Sequence, residues 1–140
     1  MKTLRSVLFT LTVLLLATAA QAQQTNVRAD IPFDFFAGDR MYPAGEYWLT
    51  SMPSNDAIVR IGGIDEITTQ NLTSNACRNA TGSKETKLVF RRVGENYFLY
   101  QVWVAGNLDG REFFKTRAET LLAKNHDKSE YVIVAASIAK

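Results

Sequence analysis

A chain of 140 residues that is 46% hydrophobic and 21% charged has the make-up of one globular domain, not of a disordered or fibrous protein. Its formal charge of +2 rests on 16 basic and 14 acidic residues. Lys2 and Arg5 account for the whole excess, so the rest of the chain is neutral and lacks the basic stripe that nucleic acid or an anionic membrane surface would demand.

Residues 1–22 read as a secretory signal peptide: Lys2 and Arg5 form a positive start, residues 7–16 an apolar core, and Ala20-Gln21-Ala22 a small-residue cleavage site. Cleavage after Ala22 is expected, leaving residues 23–140 as a single β-rich domain in the periplasm or outside the cell. The apolar core is too short to span a bilayer, and no later run is long enough to do so.

Seven short runs rich in β-branched and aromatic residues follow, at 30–36, 45–52, 57–62, 66–73, 86–93, 97–104 and 130–137. They predict a mainly β domain, an antiparallel sandwich or barrel-like fold of about seven strands, with one helix before the last strand. Pro32 lacks an N–H and belongs at a strand start or edge, and Ala37-Gly38-Asp39 breaks the first run. Tyr42-Pro43-Ala44-Gly45 fits a turn leading into the second. Gly62-Gly63 is expected at a tight turn or bulge, and residues 74–85 form the most polar gap, expected as an exposed loop. Residues 87–104 predict a hairpin turning at Gly94-Glu95-Asn96. In its second strand Tyr97, Leu99, Gln101 and Trp103 would share one face and Phe98, Tyr100, Val102 and Val104 the other, with both faces covered.

Residues 111–124 predict the helix, with Asp109 as its cap, Asn125 at its end and an apolar stripe of Phe114, Ala118, Leu121 and Leu122 packed on the sheet. The last run, residues 131–138, is almost continuously apolar, as a strand buried on both faces would be.

Chemistry is sparse. His126 is the only histidine and Cys77 the only cysteine, which excludes an intrachain disulfide and a zinc site built on His/Cys pairs. His126 reads as a surface turn residue, and Cys77 as a buried thiol ahead of a reactive one. Asp34 and Asp39 flank Gly38; two carboxylates can serve hydrolysis when a cleft holds them at the right separation.

The stretches "IPFDFFAGDRMYPAGEY", "KLVFRRVGENYFLYQVW" and "GREFFKTRAE" together resemble a group of small secreted bacterial proteins, frequent in acidobacteria, with patterns such as P-F-D-F, P-A-G-x-Y, K-L-V-F-x-R-x-G-x-x-Y-F-L and G-R-E-x-x-K-S-R. Met41-Tyr42 stands where leucine is commoner, Thr116 where serine is usual, and Arg91 where histidine is frequent. The last replacement weakens any metal or acid–base role for that position. The resemblance implies a secreted bacterial protein and carries no activity, cofactor or catalytic residue.

The expectation is a non-enzymatic binding or envelope-associated module, with no cofactor, metal or catalytic residue assigned. Its partner would be a small apolar ligand or an envelope protein. A closed antiparallel sheet of about eight strands can enclose such a ligand, and Phe33, Phe35, Tyr47, Phe98, Tyr100 and Trp103 are the candidate lining residues, although a filled core would use the same rings. The alternatives are a small hydrolase using Asp34, Asp39 or Cys77, and a structural protein-interaction domain.

Overall fold

The structure, a computed structural model, describes residues 25–65 and 67–139; the expected signal peptide lies outside the described residues. The described chain forms β1 (Asn26–Ile31), β2 (Phe35–Ala37), β3 (Arg40–Tyr42), β4 (Gly45–Met52), β5 (Asn55–Gly63), β6 (Thr69–Arg78), β7 (Lys87–Val93), β8 (Asn96–Trp103), β9 (Asp109–Phe113), helix α1 (Arg117–Ala123) and β10 (Glu130–Ala139). Eight strands pair in the circular order β1-β4-β5-β6-β9-β8-β7-β10, each antiparallel to its neighbours. The sheet therefore closes on itself, and closure removes the open edges that an antiparallel sheet would otherwise expose.

β9 meets β8 only at Gln101 and Val102, opposite Glu112 and Arg111. Beside the first half of β8 the seam is filled by the β2–β3 hairpin, with β2 running parallel to β8 at Phe36 and Phe98. The turn of this hairpin reaches β6. A Cβ on Gly38, whose φ is +61°, would lie 3.0 Å from the Gln70 amide and 3.1 Å from Leu72.

Alternation sorts the side chains. β1, N-V-R-A-D-I, buries Val27, Ala29 and Ile31 and exposes Asn26, Arg28 and Asp30, the period of two expected of a strand with one wet face. Together with Asp30, the outward Glu46, Asn71 and Thr73 give much of the wall a polar exterior, the reverse of the apolar band on a lipid-facing barrel. Among the described residues no helix is long and apolar enough to cross a membrane.

The fold class agrees with the sequence reading, while several element boundaries do not. Three strands exceed the expected seven, because the run 30–36 divides at Pro32 into the end of β1 and the separate β2, and because β3 and β9 were not foreseen. β6 runs on to Arg78 through half of the expected loop. β5 continues through Gly62, which is neither turn nor bulge: the Trp48 ring lies across it, and a Cβ there would come within 2.6 Å of that ring. In β8 the register shifts opposite Val89 and Phe90, so Tyr97, Leu99, Val102 and Val104 face the core while Phe98, Tyr100, Gln101 and Trp103 face outward. One bulged residue inverts the parity of every later side chain. β10 is buried on its inner side alone, with Tyr131 and Ile133 exposed outside.

The helix departs furthest from expectation. Residues 109–113 are recruited as β9 to close the barrel, which leaves α1 seven residues long with Thr116, not Asp109, as its cap. The expected stripe does not pack: Phe114, Ala118 and Leu121 are exposed. What the helix buries is Glu119.

Candidate functional site

The two ends of the barrel are built differently. At the end where β1 finishes and β4 begins, the interior is full. Phe33 stacks on Tyr97 at 3.9 Å between ring centroids, and Phe35 meets Tyr42, Tyr47 and Phe90 at 5.5, 5.1 and 5.4 Å. Edge-to-face and offset pairs at such distances are the favoured aromatic geometries. Tyr42 donates to the Gln70 side-chain carbonyl at 2.8 Å and Tyr47 to the Pro43 carbonyl at 2.6 Å, so both buried hydroxyls are satisfied.

The opposite end holds a cavity of about 430 Å³. Its residues come from the start of β1 (Val27), the end of β4 (Leu49 to Met52), the start of β5 (Asp56, Val59), the end of β6 (Ala76), the end of β8 with the following residue (Val102, Val104) and the start of β9 (Asp109 to Arg111). In an antiparallel barrel these termini share one end, so the cavity is the barrel's mouth. Val27, Leu49 and Val59 form a closed aliphatic floor, each at most 2% exposed. At the rim Arg111 of β9 pairs with Asp56 of β5 across the intervening β6, and Arg78 pairs with Asp109 at 3.0 Å. The volume lies within the ~300–1,000 Å³ range of small-molecule sites, and the lining combines aliphatic side chains with Thr25, Thr50, Ser51, Asn107 and the charged rim.

The six candidate lining residues divide into two groups, none of them at this mouth. Phe33, Phe35 and Tyr47 belong to the filled end. Phe98, Tyr100 and Trp103 are on the outer face of β8. There Phe98 stacks on Phe36 at 5.1 Å, and Trp103 lies over Gly110, where a Cβ would approach its ring to 2.7 Å. The residues that do line the mouth mix valines, Leu49, Met52, Pro53 and Ala76 with short polar side chains and the charged Asp56, Asp109 and Arg111, and they carry no motif. Their only sequence signal was the alternation that turned them inward.

The outer face carries the motif residues. Arg91 sits under α1 and donates from Nε to Glu119 at 2.5 Å and from a terminal nitrogen at 3.0 Å, with both side chains at most 7% exposed. Removing either partner would strand a buried charge. Thr116 accepts from the Glu119 backbone N–H at 3.1 Å. Thr116-Arg117-Ala118-Glu119 is thus a T-x-x-E capping pattern whose glutamate turns to Arg91, a signal that the sequence reading missed. The Arg91 guanidinium also lies 4.1 Å from the Tyr100 ring, which stacks on Tyr131 at 5.6 Å. Burial, followed by the negative charge of Glu112 and a hydrogen bond to it, raises the Tyr100 pKa above its ordinary value.

The residues considered for hydrolysis are dispersed. Asp34 is exposed and accepts from the Ala44 backbone N–H at 2.9 Å, Asp39 is exposed in the β2–β3 turn, and Cys77 lies on the outer face of β6 opposite Gly110. Burial and then Glu112 raise the Cys77 pKa, the opposite of the shift that activates a thiol. His126 packs over the β7–β8 turn: Gly94 has φ +63°, and a Cβ there would fall 2.8 Å from the His126 ring. Among the described residues no three His, Cys, Asp or Glu side chains gather as metal ligands would.

The fold and mouth define the class as a closed eight-stranded antiparallel barrel with a cavity of mixed aliphatic and polar lining at one end. Comparison with protein-family models, curated proteins and solved structures gave no match to this chain.

Proposed function

We propose that this protein is a secreted, non-enzymatic binding module that takes a small, largely apolar molecule into the mouth of its barrel. The observation that carries the reading is the cavity of about 430 Å³, lined by aliphatic and polar side chains and open at one end of a barrel whose other end is packed with aromatic rings. A filled end and satisfied hydroxyls make a rigid cup, and a preformed cup loses little ordering entropy on binding. The signal-peptide pattern of residues 1–22 and the resemblance to small secreted bacterial proteins support an extracytoplasmic location, and the polar exterior of β1 and β6 suits a barrel that stands in water. Dispersal of Asp34, Asp39 and Cys77 favours binding over hydrolysis.

The test uses the secreted protein and a neutral solvatochromic dye such as Nile red. Saturable enhancement of its fluorescence is expected, and it should be lost in Ala76→Trp, which sets an indole in the mouth at an exposed β6 position. Binding that survives this substitution would move the site elsewhere, and no binding by the parent protein would remove the proposal.

A further inference from the structure

We infer that the ligand of the mouth is an amphiphile with an aliphatic chain and a terminal carboxylate, and that Arg111 is the residue that selects it. The inference rests on the mouth being a ligand site and adds the chemistry of its occupant. Arg111 projects from β9 beside Val102 and Val104, and its side chain is only 16% exposed. A guanidinium so largely withdrawn from water needs an anionic partner, and its planar fork is matched by a carboxylate. The partner it has is Asp56, whose side chain is 83% exposed at the start of β5. That pairing is lopsided, with the cation drawn into the cavity wall and the anion standing in water.

An exposed carboxylate holds its partner weakly, because water competes for it and fixing the side chain costs entropy. A carboxylate carried by a chain lying against Met52, Ala76 and Val104, the apolar lining residues that keep accessible surface, would be held at Arg111 by its own anchor, at high effective concentration, and would displace Asp56. The second acid at the rim, Asp109, has its own cation, Arg78, at 3.0 Å, so the rim carries two arginines against two acids. Asp56 thus acts as an internal stand-in for the ligand's head group. It keeps the buried guanidinium paired while the cup is empty and yields when a carboxylate arrives from inside.

Calorimetric titration of the secreted protein with octanoate and with 1-octanol at pH 7 and low salt separates the two claims. Octanoate is expected to bind at least tenfold more tightly than octanol. Asp56→Asn should strengthen octanoate binding severalfold and leave octanol unchanged, whereas Arg111→Gln should bring octanoate down to the level of octanol. Equal affinity for both in the parent protein, or an Asp56→Asn variant that does not favour octanoate, would overturn the carboxylate assignment while leaving an apolar site. Failure of both molecules to bind would overturn the mouth as a site altogether. Asp56 is exposed, so its variant folds irrespective of how Arg111→Gln behaves.

Discussion

The filled end and the open end of the barrel are made from the same strands with the same alternation, yet one is a core and the other a cup. Along β1, β4 and β5 the inward residues run Ile31, Ala29, Val27; Tyr47, Leu49; and Ile61, Val59, from filled end to mouth. An eight-stranded barrel is just wide enough for side chains to fill. Here aromatic rings and the inserted β2–β3 hairpin complete the filling at one end, and valines leave it incomplete at the other. Side-chain volume, with one short hairpin, decides which end can receive a guest.

Substitutions at the two ends should therefore differ in kind. The largest effect is expected from Phe35→Ala, which removes a fully buried ring in contact with three others; a loss of ~3–5 kcal/mol in denaturant unfolding follows from the lost burial and the void left behind. A loss below about 1 kcal/mol would mean that this end is loosely packed too. Ala37→Leu, also at a position without solvent exposure, should cost roughly 1–3 kcal/mol by overpacking. Tyr42→Phe keeps the ring and deletes the donor to Gln70, so about 1 kcal/mol is expected, read as a small drop in the unfolding midpoint with an unchanged slope. At the mouth the same kind of enlargement should be tolerated: Ala76→Trp is expected to change stability by no more than ~0.5 kcal/mol while abolishing dye binding. If Ala76→Trp destabilised as much as Ala37→Leu, the distinction between cup and core would collapse.

Much of the fold was legible in the sequence, and the failures share a cause. Alternation located most of the strands, and Gly94 identified the hairpin turn. The helix was misplaced because Arg111, Glu112 and Phe113 fit a helical period as well as a strand, and only the need to close the barrel between β6 and β8 decided for the strand. The parity of β8 was lost at its bulge, which no local signal marks. That error grouped Phe98 and Tyr100 with Val102 and Val104, whereas only the two valines turn inward, and the candidate aromatic residues lie in the filled end or on the outer wall.

The residue pattern by itself determined a mainly β, neutral domain behind a signal-like segment, because hydrophobic period, turn residues and charge are local properties that need no partner strand to be read. Tertiary structure alone decided that the sheet closes, that Arg91 and Glu119 meet across 28 positions of chain, and that Asp56 reaches Arg111 over the mouth. Those contacts depend on register and on the space left between packed side chains, and both arise only when distant strands are brought side by side.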